Sequence, residues 1–218
     1  MKDLIIFGNG DFARMMKYYI EKDDKRRVVA FAVNAEYITQ GIFCDLPLVE
    51  FETIDTQYPP EQYDILLAIG NSKMNEVRKN VFRQCKQKGY TIASYIHSGC
   101  SIHCENMGEG NIILERCLVY PFTKIGDGNL FWDNVMIAHD CTVGNFNTLA
   151  AYTDLCGYVQ IGNNSFLGKN CVIKEYTKIA DYTLVGATAY VDKDTKPYDV
   201  VVPARSIVLE NKKSTDLM

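Results

Sequence analysis

From Met107 to Val191, every sixth residue is large and apolar, and this frame of 15 positions has no exception. Hydrophobic residues make up 47% of the chain, so chance would give an unbroken frame of this length about once in 100,000. A strict period of six predicts a parallel β-helix, in which each hexad forms one short face of a prism and about three hexads complete a coil. The frame therefore predicts about five coils, which bury a continuous apolar column only when stacked.

The residues beside this frame are small or compact. The position after each apolar residue is often glycine or alanine, which suits a tight corner. Four places after it comes a row of compact side chains that can stack inward, and this row includes three of the eight cysteines, Cys117, Cys141 and Cys171. The chain has no C-x-x-C pair, and the segment Cys100 to Cys104, with His103 inside it, lacks an apparent fourth ligand. We therefore expect no metal site and interpret the cysteines as packing residues.

The first 92 residues follow a different pattern, in which strand and helix signals alternate. Apolar runs predict strands at 4–7, 28–33 and 63–69, and helical spacing predicts one helix over 14–22 and another that Ser72 would cap. We predict a small Rossmann-like α/β domain over residues 1–92, followed by the β-helix domain and a C-terminal tail over residues 93–218.

Charge and hydropathy exclude several classes of partner. The formal net charge is −4, which gives no basic surface for nucleic acid. The apolar run at the start is too short for a signal segment, and no apolar stretch approaches the roughly 20 residues that cross a bilayer. We therefore expect a cytoplasmic protein with no stable membrane insertion and no nucleic-acid partner.

Five motifs carry a resemblance to a known family, and they are spread over nearly the whole chain. They lie at Phe7–Ala13, Ala68–Asn71, Tyr95–His97, Ile137–Gly144 and Gly157–Gly162. With them, the chain resembles the sialic acid O-acetyltransferase-like family of hexapeptide-repeat acyltransferases, which includes N-acetyltransferases for amino sugars linked to UDP, GDP or dTDP. The resemblance implies a left-handed β-helix and a homotrimer with active sites between neighbouring β-helices. It also implies acetyl-CoA in the groove between two subunits and a nucleotide sugar held mainly by the N-terminal domain.

His139 is the candidate general base. It is the only one of three histidines inside the regular repeat, and its place two residues after Ile137 predicts an outward-facing corner. A sugar ammonium must lose a proton as it attacks a thioester, and an unperturbed imidazole has a pKa of about 6.5, close to the working pH. Asp140 can orient the ring, although an aspartate here is also typical of a turn. The resemblance implies these two roles, and it implies that the backbone amide of Gly157 stabilises the oxyanion; a turn glycine is the alternative.

The resemblance and the motifs also predict the binding residues. For the nucleotide sugar these are Gly8, Asn9, Gly10, Asp11, Asn34, Asn71, Trp132 and Thr148. For acetyl-CoA they are Gly157, Gly168, Lys169, Gly186, Ala187 and Arg205. Trp132 and Thr148 depart from the family, in which many relatives have Asn and His there. Trp132 is interpreted either as an aromatic wall against the sugar or as an anchor at a subunit interface.

Other functions remain as alternatives. Gly8, Gly10 and Ala13 also fit a dinucleotide fingerprint, but the second strand ends at Asn34 rather than at an acid, which disfavours an NAD-dependent oxidoreductase. A zinc carbonic anhydrase would need about three histidine ligands. A non-catalytic scaffold is a further alternative. Among acyltransferases, N-acetylation of an amino sugar is the first expectation and O-acetylation of sialic acid or another sugar is the second.

Overall fold

The structure is a computed structural model that describes residues 2–206, 213 and 215; the rest of the predicted C-terminal tail lies outside the described residues. The N-terminal domain is an α/β unit around a five-stranded sheet of order β3-β4-β2-β1-β5. Its elements are β1 (Asp3–Phe7), α1 (Asp11–Asp23), β2 (Val28–Val33), β3 (Ile42–Phe43), β4 (Leu46–Glu50), β5 (Tyr63–Leu67) and α2 (Glu76–Gln87), with 3-10 turns at Ala35–Tyr37 and Phe51–Thr56. The pairs β1–β2, β1–β5 and β2–β4 are parallel, and β3–β4 is antiparallel.

The central strands β1 and β2 are apolar except for Asp3 at the start of β1, because both faces of the sheet are covered. One face packs on α1, which buries Ala13, Met16 and Ile20. The other face packs on α2, which buries Val81 and Phe82. Because β1, β2 and β5 are parallel, their carboxyl ends lie at the same edge of the sheet, and the segments that follow them meet there.

The start of α2 differs from the sequence prediction. Ser72 is not its cap, because the helix begins at Glu76 with Asn75 in the cap position. Lys73, Met74 and Asn75 have positive φ angles of 51°, 51° and 65°, so the chain makes a left-handed turn before it becomes helical.

The second domain is a parallel β-helix of two-residue strands. They are β6 (Tyr95–Ile96), β7 (Ser101–Ile102), β8 (Asn106–Met107), β9 (Ile112–Ile113), β10 (Leu118–Val119), β11 (Lys124–Ile125), β12 (Leu130–Phe131), β13 (Met136–Ile137), β14 (Thr142–Val143), β15 (Thr148–Leu149), β16 (Asp154–Leu155), β17 (Gln160–Ile161), β18 (Phe166–Leu167), β19 (Val172–Ile173), β20 (Lys178–Ile179), β21 (Leu184–Val185), β22 (Tyr190–Val191) and β23 (Val200–Val201). The left-handed β-helix after an α/β domain confirms the predicted fold.

Three parallel sheets form the sides of the prism. Sheet 1 has seven strands from β6 to β23, sheet 2 has six from β7 to β22, and sheet 3 has five from β8 to β20. The β-helix has three strands beyond the predicted frame, which is one more coil than the prediction, because β6 and β7 come before Met107 and β23 follows Val191. Ile96, Ile102 and Met107 stand six and five residues apart, so the opening coil breaks the strict period.

The second residue of each strand in the regular coils points inward and is buried, and these residues form the apolar column. One corner also holds a buried ladder of asparagines that the frame does not reveal. The Oδ1 atoms of Asn111, Asn129 and Asn147 accept the backbone N–H of Asn129, Asn147 and Ser165, each at 2.8 Å. The ladder gives these buried backbone groups the partners they need.

The outward residues distinguish the three sides. On sheet 1, Ile112 and Leu130 are buried against the N-terminal domain. Sheet 3 presents polar residues, namely Asn106, Lys124, Thr142, Gln160 and Lys178. Sheet 2 presents mainly apolar side chains to solvent, among them Leu118, Met136, Val172 and Tyr190. No helix within the described ranges is long and apolar enough to span a membrane.

Candidate active site

His139 lies on the corner between sheets 2 and 3, which we call the His139 corner. Its Nδ1 atom is 2.8 Å from Oδ2 of Asp140, and its side chain is 52% exposed. Asp140 has a φ angle of 59°, so this one residue both turns the chain and orients the ring. A neutral imidazole whose Nδ1–H is donated to a carboxylate leaves Nε2 as the basic nitrogen. The pair is therefore arranged to accept a proton from outside the β-helix.

Gly157 lies one coil above His139 on the same corner. A Cβ added to Gly157 would stand 3.1 Å from Cε1 and 3.2 Å from Nε2 of His139, so the missing side chain leaves the ring accessible. Within residues 2–206, the Gly157 N–H donates no hydrogen bond. The structure thus brings the three predicted catalytic residues together, with a free amide beside the imidazole. Tyr158 closes one side, with its ring edge-on to His139 at 5.3 Å.

A cavity of about 310 Å³ lies at a different corner, between sheets 1 and 2, which we call the Trp132 corner. It is lined by Gly70, Asn71, Leu130, Trp132, Thr148, Ala150, Ala151, Phe166 and Lys169. Four predicted site residues, Asn71, Trp132, Thr148 and Lys169, therefore meet here. The Trp132 ring packs against Phe12 of α1, with centroids 5.6 Å apart, so the indole is fixed between the two domains.

Thr148 differs from the other residues of this cavity. Its side chain is 1% exposed, and its hydroxyl donates to Oδ1 of Asn75 at 2.7 Å. The Thr148 hydroxyl oxygen also accepts a hydrogen bond from Nη2 of Arg78, at 3.2 Å. The hydroxyl is thus committed to protein partners rather than directed toward a ligand.

A second cavity, of about 400 Å³, lies at the carboxyl ends of β1 and β2. Its lining residues are Phe7, Gly8, Asn9, Val33, Asn34, Glu36, Tyr37, Val77, Asn80, Val81 and Gln84. Gly8, with φ of 134°, is packed so closely that an added Cβ would lie 2.9 Å from the carbonyl of Ala68. At Gly10 an added Cβ would meet no described atom within 4 Å, so space is open there. Asp11 is exposed and pairs with Arg14 at 3.0 Å.

Sequence reasoning missed four polar residues of this second cavity. Glu36 and Tyr37 come from the 3-10 turn after β2, and Asn80 and Gln84 come from α2. No motif marks them. Asn80 and Gln84 lie one helical turn apart, on the side of α2 toward the strand ends. This spacing could have indicated these two residues, whereas Glu36 and Tyr37 have no such signal.

The predicted acetyl-CoA residues fall on two corners. Gly168, Lys169, Gly186 and Ala187 lie on the Trp132 corner in the last coils, and the exposed Arg205 follows β23 of sheet 1. Gly157 lies on the His139 corner. At Gly168 an added Cβ would stand 2.5 Å from the backbone nitrogen of Ala187, so close coil stacking already requires glycine there. Within one chain, sheet 2 separates the His139 corner from the Trp132 corner.

The candidate metal segment is otherwise engaged. His103 Nε2 bonds to Ser101 Oγ at 2.9 Å, while Cys100 and Cys104 pack against the β-helix core. In the part of the chain that the structure describes, no group of three His, Cys, Asp or Glu side chains could hold a metal ion.

The fold defines a class, the left-handed hexapeptide β-helix proteins with an N-terminal α/β domain. Within that class, residues 3–85 match the family model of the PglD N-terminal domain. The acetyltransferase domain of PglB from Neisseria gonorrhoeae, solved with acetyl coenzyme A, is 20% identical and has a TM-score of 0.82, with 94% of this chain and 99% of that chain covered. A mutant of perosamine N-acetyltransferase from Caulobacter crescentus, solved with CoA and GDP-perosamine, is also 20% identical. Its TM-score is 0.83, and the match covers 93% of this chain and 94% of that chain.

A curated relative matches over a shorter stretch. The acyl-[acyl-carrier-protein]–UDP-N-acetylglucosamine O-acyltransferase of Helicobacter pylori is 38% identical over 64 residues, which are 26% of this chain and 24% of that enzyme. The chain thus matches only about a quarter of that relative's length. The matches confirm the resemblance in the fold and in the N-terminal domain.

Proposed function

We propose that this chain is an acetyl-CoA-dependent acetyltransferase that N-acetylates an amino-deoxy sugar linked to UDP, dTDP or GDP. The observation that carries the proposal is the arrangement at the His139 corner. There Nδ1 of His139 is hydrogen-bonded to Asp140, Gly157 lies against the Cε1–Nε2 edge of the ring, and the Gly157 N–H donates to no described residue. The two similar structures, one with acetyl coenzyme A and one with CoA and GDP-perosamine, support the choice of substrates.

The chemistry is a direct transfer with one tetrahedral intermediate. The sugar amine attacks the thioester carbonyl while Nε2 of His139 takes its proton. Asp140 stabilises the imidazolium, and the Gly157 N–H donates to the developing oxyanion. The intermediate collapses, the carbon–sulfur bond breaks, and the leaving CoA thiolate receives the proton from the imidazolium. The transfer needs no covalent step on Cys156, and burial raises the pKa of its thiol, which disfavours the nucleophilic thiolate.

The two cavities suit the two parts of the acceptor. The cavity with Gly8, Asn9 and Asn34 would take the nucleotide, whose pyrophosphate would meet the open space at Gly10 and the start of α1. The cavity with Asn71 and Trp132 would take the sugar. Acetyl-CoA would follow the later coils of the Trp132 corner, where Lys169 and Arg205 supply positive charge for its phosphates.

The separation of the two corners supports a homotrimer. Sheet 1 is covered by the N-terminal domain and sheet 3 is polar, which leaves the apolar sheet 2 as the side to be buried. The His139 corner and the Trp132 corner are the two edges of sheet 2. In a closed ring of three copies with sheet 2 facing the axis, the His139 corner of one copy would meet the Trp132 corner of the next. Each active site would then combine residues of two subunits.

A screen by mass spectrometry tests the proposal. Purified protein is incubated with acetyl-CoA and a panel of UDP-, dTDP- and GDP-linked amino-deoxy sugars. We expect one acetyl group to be added to at least one of them, as an amide that resists mild base. A base-labile product would indicate O-acetylation instead, and no product from any amino sugar would contradict the proposed function.

A further inference from the structure

Arg78 of α2 is a buried cation without a carboxylate partner. The residue is 2% exposed, and no described acid lies within ion-pair distance of its guanidinium. Nε donates to the carbonyl of Gly128 at 2.8 Å, and Nη1 donates to the carbonyls of Ile69 and Gly70 at 3.1 and 2.8 Å. Nη2 donates to the carbonyl of Asn147 at 3.0 Å. Burying a charge among neutral groups is strongly unfavourable unless its donors are satisfied, and here they are.

The guanidinium remains charged under ordinary conditions. Burial lowers the pKa of Arg78 to about 9, which is still above neutral pH. Its acceptors come from both domains, because Ile69 and Gly70 follow β5 whereas Gly128 and Asn147 belong to the β-helix. A single side chain thus joins the end of the α/β sheet to the side of the prism.

The segment that Arg78 holds, residues 69–75, has an unfavourable backbone. Lys73, Met74 and Asn75 are three consecutive non-glycine residues with positive φ. Such a conformation persists only where its surroundings hold it, and it is commonly found at ligand-binding sites. The side chain of Asn75 is fully buried and fixes the far end of the segment, donating from Nδ2 to the carbonyl of Ser165 at 3.1 Å.

The same segment forms one wall of the cavity at the Trp132 corner. Gly70 and Asn71 line that cavity, opposite Trp132 and Lys169. Arg78 and Asn75 do not line it; they hold the wall from behind, and the Thr148 hydroxyl joins them by its bond to Asn75. Fold stability alone would not require the anchored segment to coincide with a wall of this cavity.

We infer that Arg78 and Asn75 are positioning residues that hold segment 69–75 as a preformed wall against the acceptor sugar. The inference rests on the proposed function for the identity of the ligand. It assigns the two residues an effect on the acceptor and not on acetyl-CoA, because Lys169 is the one predicted acetyl-CoA residue that lines this cavity and neither Arg78 nor Asn75 bonds to it. It also accounts for the buried charge and for the left-handed turn together.

Hydrogen exchange and kinetics test the inference on the full chain. Arg78→Met removes the charge and the hydrogen bonds of the guanidinium. Asn75→Ala and Asn75→Gly both remove the side-chain hydrogen bonds of Asn75. Alanine carries a penalty for the positive φ at this position, and glycine does not. Arg83→Met, an exposed arginine of the same helix, is the matched control. Should Arg78→Met fail to fold, the Asn75 pair still decides the outcome.

We expect amides 69–75 to exchange about tenfold faster in Arg78→Met, Asn75→Ala and Asn75→Gly while the β-helix core is unchanged. With the panel acceptor that wild type acetylates, we expect KM to rise about tenfold with kcat and the KM for acetyl-CoA within twofold. Unchanged exchange at 69–75, or an equal rise in both KM values, would overturn the inference. If wild type acetylates no acceptor, the proposed function fails, whereas the exchange result still decides whether the anchor exists.

Discussion

At the scale of single residues, the sequence motifs predicted which residues lie together at the His139 corner better than they predicted the lining of the two cavities. His139, Asp140 and Gly157 could be predicted to share a corner because a period of 18 residues stacks 139 beneath 157. Arg78 could not be predicted, because an arginine in an amphipathic helix is ordinarily exposed. Its burial depends on carbonyl groups that come together only when the two domains pack.

Gly157 offers a test at this scale. We expect Gly157→Ala to lower kcat by about 100-fold, since the new methyl group would press on the His139 ring and crowd the free amide. The melting temperature should change little, because the methyl group would face outward at an exposed corner. Gly99→Ala, another glycine whose added Cβ would lie 3.1 Å from a histidine ring, is the control. Activity equal to wild type would remove Gly157 from the mechanism.

Gly10 tests the role of the first turn. We expect Gly10→Val to weaken binding of the sugar nucleotide at least tenfold, because a side chain would fill the open space in which we place the pyrophosphate. The variant should fold, since Gly10 has an extended backbone with φ of −105°. Isothermal titration with each substrate separately is the measurement. Loss of acetyl-CoA binding with intact sugar-nucleotide binding would reverse the assignment of the two domains, and micromolar binding of NAD by wild type would revive the oxidoreductase alternative.

At the scale of elements, the hexad frame predicted the strands and their inward residues, since both follow from one repeated spacing. It missed the opening coil, where the spacing falls to five residues. The helical spacing in the first domain likewise missed the left-handed turn before α2. A positive φ at Lys73 or Met74 has no signal in residue type, because neither residue favours that conformation. The cavities were likewise hidden, as their walls come from elements distant in sequence.

Asp154 on β16 of sheet 2 allows a prediction about stability and pH. Its Oδ1 atom is buried without a hydrogen-bond partner among the described residues, and burial raises the pKa of its carboxyl. A raised pKa in the folded state means that the ionised form disfavours folding, so stability from this group is lost as pH rises through that pKa. We expect Asp154→Asn to raise the melting temperature at pH 8, and the gain to vanish toward pH 3. A gain of equal size at both pH values would contradict this.

At the scale of the whole molecule, the sequence predicted two domains and a left-handed β-helix, but only the structure distinguished the three sides of the prism. The N-terminal domain covers sheet 1, and the remaining apolar side, sheet 2, lies between the His139 corner and the Trp132 corner. This arrangement is the basis on which we propose a trimer with active sites shared between subunits. We expect light scattering to give three times 24.7 kDa. A stable monomer that retains full activity would exclude a site formed between subunits.

The most direct test of the central claim is the turnover of a His139→Gln variant. The rate of acetyl transfer to the panel acceptor is measured for variant and wild type at pH 7, and acetyl-CoA binding is measured by titration. We predict that kcat falls by about 100- to 10,000-fold, the usual range for loss of a general base, while the Kd for acetyl-CoA stays within twofold. A variant with near wild-type turnover would contradict the account, because no other histidine lies within the regular coils of the β-helix.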